Sequence, residues 1–180
     1  MVSEGSRVLA WSEIESPVGP ILLTATKKGL CRLDFSSEEQ ARLGIDLWAR
    51  RWIGSVQIEK NDLALLSFAK QLQEYFKGGN PHFEIPLDLY GTSFQKLVWE
   101  QLQTIPYGEL RSYKDMAAAM GAPKAVRAVG GANNKNPVSI VVPCHRVIGS
   151  NGSLVGYGSG LKIKEFLLTL EGASPFKAEA

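Results

Sequence analysis

An apolar run, Val138-Ser139-Ile140-Val141-Val142, is stopped by Pro143 and followed at once by Cys144-His145-Arg146-Val147. The run is rich in β-branched residues and reads as a buried strand. Proline removes a backbone donor and ends regular pairing, so the chain turns where the thiol begins. Any fold that accepts this segment therefore carries Cys144 at the edge of its core, with an imidazole and a guanidinium beside it. The thiol itself has two readings. Cysteines are among the most buried residue types, and one that follows a β-branched run is ordinarily inert core. Nucleophilic use needs a base, a positive neighbour or a helix N-terminus, because a thiol with a pKa of about 8.5 is only a few per cent thiolate at neutral pH. His145 and Arg146 are candidates for two of those three. Adjacent residues on an extended segment point to opposite faces, so Cys144 and His145 can meet only across a bend.

With 180 residues, 44% hydrophobic content and 21% charge, the chain is expected to be soluble and globular, in one large or two small domains. Two cysteines, Cys31 and Cys144, make neither a disulfide framework nor a thiolate metal cluster, and they fit a reducing compartment. No apolar stretch approaches the roughly 18 residues of a membrane span. The polar N-terminus, Met1 to Arg7, has no signal-peptide pattern. The expected location is the cytoplasm, or the nucleus in a eukaryote. Charge is divided unevenly: residues 1–90 hold 10 Lys+Arg against 12 Asp+Glu, and residues 91–180 hold 10 against 6. The half that carries Cys144-His145 is the basic one, which hints at an anionic partner.

In the first half, Ile21 to Thr26, the turn Lys27-Lys28-Gly29 and Leu30 to Phe35 read as a β-hairpin. A polar segment follows. Asn61 can then cap a helix from Asp62 to Lys77, closed by Gly78-Gly79. Its apolar residues Leu65, Leu66, Phe68, Ala69, Leu72, Tyr75 and Phe76 recur at helical spacing and form a core-facing stripe. Pro81 to Tyr90, with Pro86 inside it, reads as a linker. The boundary is set there, giving domains 1–90 and 91–180.

Beyond the linker, a helix from Ser93 to Thr104 stops at Pro106-Tyr107-Gly108. Ser112 and Asp115 make a capping-box start for a short helix through Met120. Gly121-Ala122-Pro123 turns the chain into a third helix, Lys124 to Asn133. Two short helices across a tight turn fit either a helix-turn-helix or an ordinary αα-hairpin. The second of them is nearly without bulk from Ala125 to Ala132 except for Arg127, so it can lie close against another molecule.

Taken together, Ile105-Pro106-Tyr107-Gly108-Glu109, Ser112-Tyr113, Arg127-Ala128-Val129-Gly130-Gly131-Ala132, Asn136-Pro137, Pro143-Cys144-His145-Arg146-Val147-Ile148, Gly156-Tyr157, Leu167-Leu168 and Glu171-Gly172 carry a resemblance. The stretch from Phe94 to Gly172 resembles the methylated-DNA:protein-cysteine methyltransferases, which remove alkyl groups from oxygen six of guanine. The N-terminal hairpin is similar to that family's, more loosely. The fold class this implies is α/β: a small N-terminal ribonuclease H-like α/β domain and a mostly helical C-terminal domain with a winged helix-turn-helix.

The resemblance also implies roles. Cys144 would take the alkyl group, His145 would act on it through a water, and Glu171, at the end of a helix from Lys162 to Leu170, would orient His145. Asn136 would be a hinge beside the thiol, its amide bonding two backbone groups. The guanine pocket would use the backbone carbonyl of Val147, with Tyr157 and Gly158 facing it and Tyr113 beside them. Some relatives carry serine in place of Gly158; the backbone N–H that donates to oxygen six survives that change, and a more mobile loop is expected. Tyr113, Lys114, Ala122, Arg127 and Ser150 would meet the DNA, with Arg127 filling the space of a base flipped out from the minor groove.

The implied partner is double-stranded DNA carrying alkylated guanine, with alkylated thymine as a second substrate, and the implied protein is a monomer that can assemble on DNA. No cofactor is implied. Some relatives hold a structural zinc in the N-terminal half, whereas here only Cys31 and His82 could serve and four ligands are needed, so no metal is expected. Two other readings stay open from the residues: a cysteine hydrolase using Cys144, His145 and Glu171 on an acyl substrate, and a DNA-binding module whose cysteine is incidental.

Overall fold

The computed structural model describes residues 7–79 and 82–177. Residues 1–6 of the polar N-terminus, and Pro81 at the head of the expected linker, lie outside them. The chain divides into two compact units between Tyr90 and Gly91.

The first unit is built on a four-stranded sheet of order β3-β2-β1-β4. β2 (Ile21–Thr26) pairs antiparallel with β1 (Arg7–Ile14) on one side and with β3 (Gly29–Asp34) on the other, the second pair being the expected hairpin. Five consecutive residues of β2 are buried, which is why it reads as a continuous apolar run rather than an alternating one. β4 (Val56–Lys60) joins the free edge of β1 in parallel. A parallel partner needs a crossover, and the segment read as merely polar supplies it as α1 (Glu38–Trp52). That helix buries only Ile45 and Ala49 fully and leaves Leu43 and Leu47 exposed, so its apolar residues do not gather into one stripe. What marks it are charges: Glu38 and Glu39 in its first turn and Arg50 and Arg51 in its last complement the helix dipole. Leu9, Leu22, Cys31, Ile45 and Ala49 form the core between sheet and helix.

α2 (Asp62–Phe76) begins at the expected cap, the Asn61 side chain accepting from the Ala64 N–H at 3.0 Å. Leu65, Ala69, Leu72 and Tyr75 are buried, whereas Leu66 of the expected stripe is exposed. The linker is a further correction. Leu30 N–H donates to Pro86 O at 2.8 Å and Asp88 N–H to Leu30 O at 3.0 Å, so residues 86–88 run along the edge of β3 as part of the unit. Gly29 permits this approach, since a Cβ there would stand 2.3 Å from the Pro86 carbonyl oxygen.

In the second unit α3 (Ser93–Leu102) opens with a full capping box, Thr92 and Gln95. Its Trp99 is buried and donates from Nε1 to Ala132 O of α5 (Val126–Asn134) at 2.9 Å. α4 (Tyr113–Ala119) starts with the predicted Ser112–Asp115 box, and a tight turn containing Gly121 at φ +69° leads from it to α5. Two-residue strands β5 (Arg111–Ser112) and β6 (Val147–Ile148) pair in parallel, and α6 (Leu161–Leu170) closes the unit. No helix among the described residues is long and apolar enough to cross a membrane.

The run before Cys144 is not a strand. Val138, Ser139, Ile140 and Val142 are buried, yet they form a compact loop in which Ile140 stands at φ +74° and Val142 N–H returns to Val138 O at 3.0 Å. Asn136 closes it, its Nδ2 donating to Val142 O at 2.8 Å and its Oδ1 accepting from Val138 N–H at 3.0 Å. A β-branched residue at positive φ is strained, and the run holds that shape because both ends are tied. A short apolar run carries no periodicity that could have revealed it.

Candidate active site

Cys144, His145 and Arg146 form one turn of 3₁₀ helix. Pro143 ends the preceding loop, Cys144 N–H donates to Val142 O at 2.8 Å, and Arg146 N–H donates to Pro143 O at 3.1 Å. This turn supplies the bend that an extended segment lacks. All three side chains are buried.

The turn delivers two of them to one carboxylate. His145 Nε2 lies 2.6 Å from Glu171 Oε1, and Arg146 donates to the same carboxylate from Nε at 2.8 Å and from Nη2 at 3.0 Å. Gly108 N–H adds a bond to Oε2 at 3.1 Å, and Arg146 Nη1 donates to Ile105 O at 2.6 Å. Glu171, the residue that ends α6, is thus reached both by the Cys144 turn and by the Pro106-Tyr107-Gly108 turn. Burial pushes its carboxyl up, but the hydrogen bonds and charges of His145 and Arg146 outweigh this and hold it well below the usual carboxylate range. A carboxylate only accepts, so His145 carries its proton on Nε2 and presents a bare Nδ1. That Nδ1 is buried and has no protein hydrogen-bond partner among the described residues. Burial pulls His145 down despite Glu171, so the imidazole rests neutral.

The thiol is 2% exposed, with Ser139 Oγ 3.8 Å from Cys144 Sγ. Burial raises its pKa more than the hydrogen bonds of Asn136 and Ser139 and the charge of Lys164 lower it, so the resting form is the thiol. Asn133 Nδ2 reaches toward both Cys144 O, at 3.5 Å, and Tyr113 Oη, at 3.3 Å. Tyr113 is buried, and its hydroxyl donates to the carbonyls of Val155 and Gly156, each at 3.1 Å. Tyr157 is buried with its hydroxyl beside Ser139 and Cys144, and Val147 is buried at the start of β6. A Cβ on Gly158 would stand 3.1 Å from Asn134 O, so glycine relieves a tight contact there.

The structure thus brings Cys144, His145, Glu171, Asn136, Tyr113, Val147 and Tyr157 to one place. Lys114, Arg127 and Ser150 are exposed and Ala122 is half-buried. Arg127 shares the outer face of α5 with Ala128 and Gly131. Three contributors were missed in the sequence. Arg146 was noticed only as a charge near the thiol and not as a partner of Glu171; Asn133 and Lys164 were not noticed at all. Lys164 had a signal: it sits three and four residues before Leu167 and Leu168, on the apolar face of its helix.

Cys31 is a different case. Buried among core residues, its Sγ lies 3.2 Å from Thr24 O, and burial pushes the thiol up to about 12. It is the inert kind of cysteine.

Comparison with known proteins agrees with this geometry. Residues 93–173 match the model of the 6-O-methylguanine DNA methyltransferase DNA binding domain, and residues 9–89 that of the same family's ribonuclease-like domain. The chain is 50% identical over 159 residues to the methylated-DNA–protein-cysteine methyltransferase of Methanosarcina barkeri, covering 88% of this chain and 94% of that one. It is 47% identical over 164 residues to the constitutive methylated-DNA–protein-cysteine methyltransferase of Bacillus subtilis, covering 89% and 94%. A crystal structure of Mycobacterium tuberculosis OGT in complex with DNA superposes with a TM-score of 0.77 at 41% identity, covering 92% of each chain. With both halves matched in order and the cysteine, histidine and glutamate joined in one buried site, the chain belongs to the family of methylated-DNA–protein-cysteine methyltransferases.

Proposed function

We propose that this protein repairs DNA by moving the alkyl group from oxygen six of guanine onto Cys144, once per molecule. The observation that carries this reading is the turn that sets a buried thiol beside a neutral imidazole whose far nitrogen is fixed on a neutralised carboxylate. In the reaction the thiol proton passes through a water to Nδ1 of His145, while Glu171 accepts from Nε2 and steadies the imidazolium. The sulfur's electron pair forms the S–C bond. The pair of the breaking C–O bond leaves with guanine, which takes a proton back and is restored unmodified. The Gly158 N–H donates to the departing oxygen, and the Val147 carbonyl and Tyr157 hold the base. Oxygen four of thymine, an alkylated oxygen of similar chemistry, is a second substrate.

The target atom is out of reach inside a duplex, so the nucleotide must be extruded at a cost of a few kcal/mol. The face of α5 with Arg127, Ala128 and Gly131 suits close approach in the minor groove, Arg127 filling the vacated stack. Tyr113, whose hydroxyl rests on the Val155 and Gly156 carbonyls, turns to the neighbouring phosphate, and Lys114, Ala122 and Ser150 complete the backbone contacts. A cytoplasmic setting keeps the free thiol reduced.

The test compares two substrates: a duplex with one methylated guanine, and a free alkylguanine base that needs no extrusion. The wild-type protein is expected to gain the group on the Cys144 peptide from both, seen by mass spectrometry. Arg127→Ala should slow the duplex reaction at least tenfold and leave the free base within twofold. Equal losses would move Arg127 into the chemistry or the core. Reaction with acyl substrates instead would establish the hydrolase, and binding without modification would establish a DNA-binding module.

A further inference from the structure

The first unit holds a cavity of about 430 Å³ that the alkyl-transfer chemistry does not use. It lies where β1 begins, where β2 turns into β3 and where α1 ends, and Asp88 and Tyr90 also line it. Leu9, Trp52, Ile53, Val56 and the Tyr90 ring give it apolar and aromatic walls. Arg7, Lys27 and Lys28 line it as well, all three exposed, and none of them is in an ion pair among the described residues. A concave space of this size, apolar with a few convergent polar groups, has the make-up of a small-molecule site.

Those polar groups are held in place. Asp88 Oδ2 accepts from Thr26 Oγ1 at 2.6 Å and from Tyr90 Oη at 2.8 Å. Thr26 Oγ1 in turn accepts from Lys28 N–H at 3.1 Å, which fixes the turn that carries both lysines. Arg7 Nη1 donates to Ile53 O at 2.6 Å and so ties the start of β1 to the end of α1. The Tyr90 ring meets Trp48 edge-on, with 5.5 Å between centroids. After these bonds Asp88 Oδ1 accepts from no described residue. An open acceptor oxygen thus stands in a cavity lined by three cations that it does not pair with. A mere gap between sheet and helix needs neither.

We propose that this cavity binds one guanine nucleotide. Its ligand must be flat and apolar enough to lie against Trp52 and Tyr90, must carry an anion for Arg7, Lys27 and Lys28, and must offer an N–H to Asp88 Oδ1. A nucleotide meets all three requirements. Among the bases guanine suits a carboxylate best, because its ring N–H and its amino group are adjacent donors. Adenine and cytosine set an acceptor beside the amino group, and thymine flanks its ring N–H with two carbonyls, which a carboxylate repels. The same base and phosphate are offered by a free mononucleotide and by the phosphorylated end of a single strand. Every residue of the site belongs to the first unit, and the inference does not depend on the alkyl-transfer reading.

The test is a titration of the full chain with dGMP, followed through backbone and indole N–H shifts in NMR, with deoxyguanosine, inorganic phosphate and dTMP as controls. Saturable shifts are expected at Thr26, Lys27, Lys28 and the Trp52 indole, with each control weaker by about tenfold or more, since each lacks one charge-assisted contact or the stacking body. Lys27→Gln combined with Lys28→Gln, a change to two exposed side chains, should weaken dGMP by about tenfold. Asp88→Asn should erase the preference for dGMP over dTMP; if that variant fails to fold, the lysine variant and the controls decide.

Shifts confined to Tyr157 and Gly158 would place the nucleotide in the guanine pocket beside Cys144 and overturn the inference. Equal binding of dGMP and phosphate, or an unchanged affinity in the lysine variant, would overturn it too. A single strand with a phosphorylated terminal guanosine separates the two sources: the same shifts at lower concentration than dGMP assign the strand end, and at higher concentration the free nucleotide.

Discussion

Cys144→Ala is expected to reduce alkyl transfer to below detection while leaving affinity for duplex DNA within a few-fold. The thiol is buried among Asn136, Ser139 and Tyr157, whereas the cations proposed to meet DNA, Lys114 and Arg127, are exposed on α4 and α5. Removing one sulfur therefore removes the acceptor and little else. The second cysteine cannot substitute. Cys31 lies in the core of the other unit with its thiol pushed up to about 12, so at neutral pH it offers essentially no thiolate. Quantitative transfer by the alanine variant, with the group on Cys31, would show that the site has been misassigned. Loss of DNA affinity together with transfer would show that Cys144 supports the interface.

Glu171→Ala should produce the largest loss of stability. It strands a buried guanidinium, a buried imidazole and the Gly108 N–H at once. Removing one partner of a buried pair costs about 3–5 kcal/mol, because the other charge is left uncompensated. At roughly 4–8 °C per kcal/mol for a unit of this size, the melting temperature should fall by more than about 10 °C. Glu171→Gln, which keeps an acceptor oxygen, should lose less. The pH dependence has a definite sign. Glu171 is held below its ordinary value when folded, so its contribution is fully present at neutral pH and disappears only as pH falls through the folded value. The stability gap between wild type and Glu171→Gln should therefore persist down to about pH 4 and close only below it. Equal melting temperatures at pH 7 would contradict the buried network.

Much of this site could be read in the amino-acid order because its chemistry is carried by short motifs. Pro143 to Val147 placed the thiol, the imidazole and the turn, and Ser112 with Asp115 placed the start of α4. Glu171 by contrast has no local mark: on sequence alone it is an ordinary carboxylate at a helix end, and only the family resemblance singled it out. Its pairing with Arg146 depends on two segments meeting in space. Lys164 was overlooked because a lysine in a helix is read as surface, although its spacing to Leu167 and Leu168 said otherwise. In the first unit, α1 and β4 escaped notice since a helix with two fully buried residues and a half-exposed edge strand leave weak periodicity. The loop from Val138 to Val142 misled for the opposite reason. Its residues have the composition of a strand, and the side-chain bonds of Asn136 override that preference.

The central claim is that Cys144 is consumed. A thiolate that attacks an alkyl carbon gives a thioether, a bond that nothing in this site can reopen, whereas the thioester of a cysteine hydrolase is opened by water. The most direct measurement is a time course with excess duplex carrying one methylated guanine, following repaired guanine and the mass of the Cys144 peptide together. Repair is expected to plateau at one guanine per protein as the modified peptide reaches completion. Repair that continues well beyond one equivalent, or a plateau with Cys144 unmodified, would contradict it.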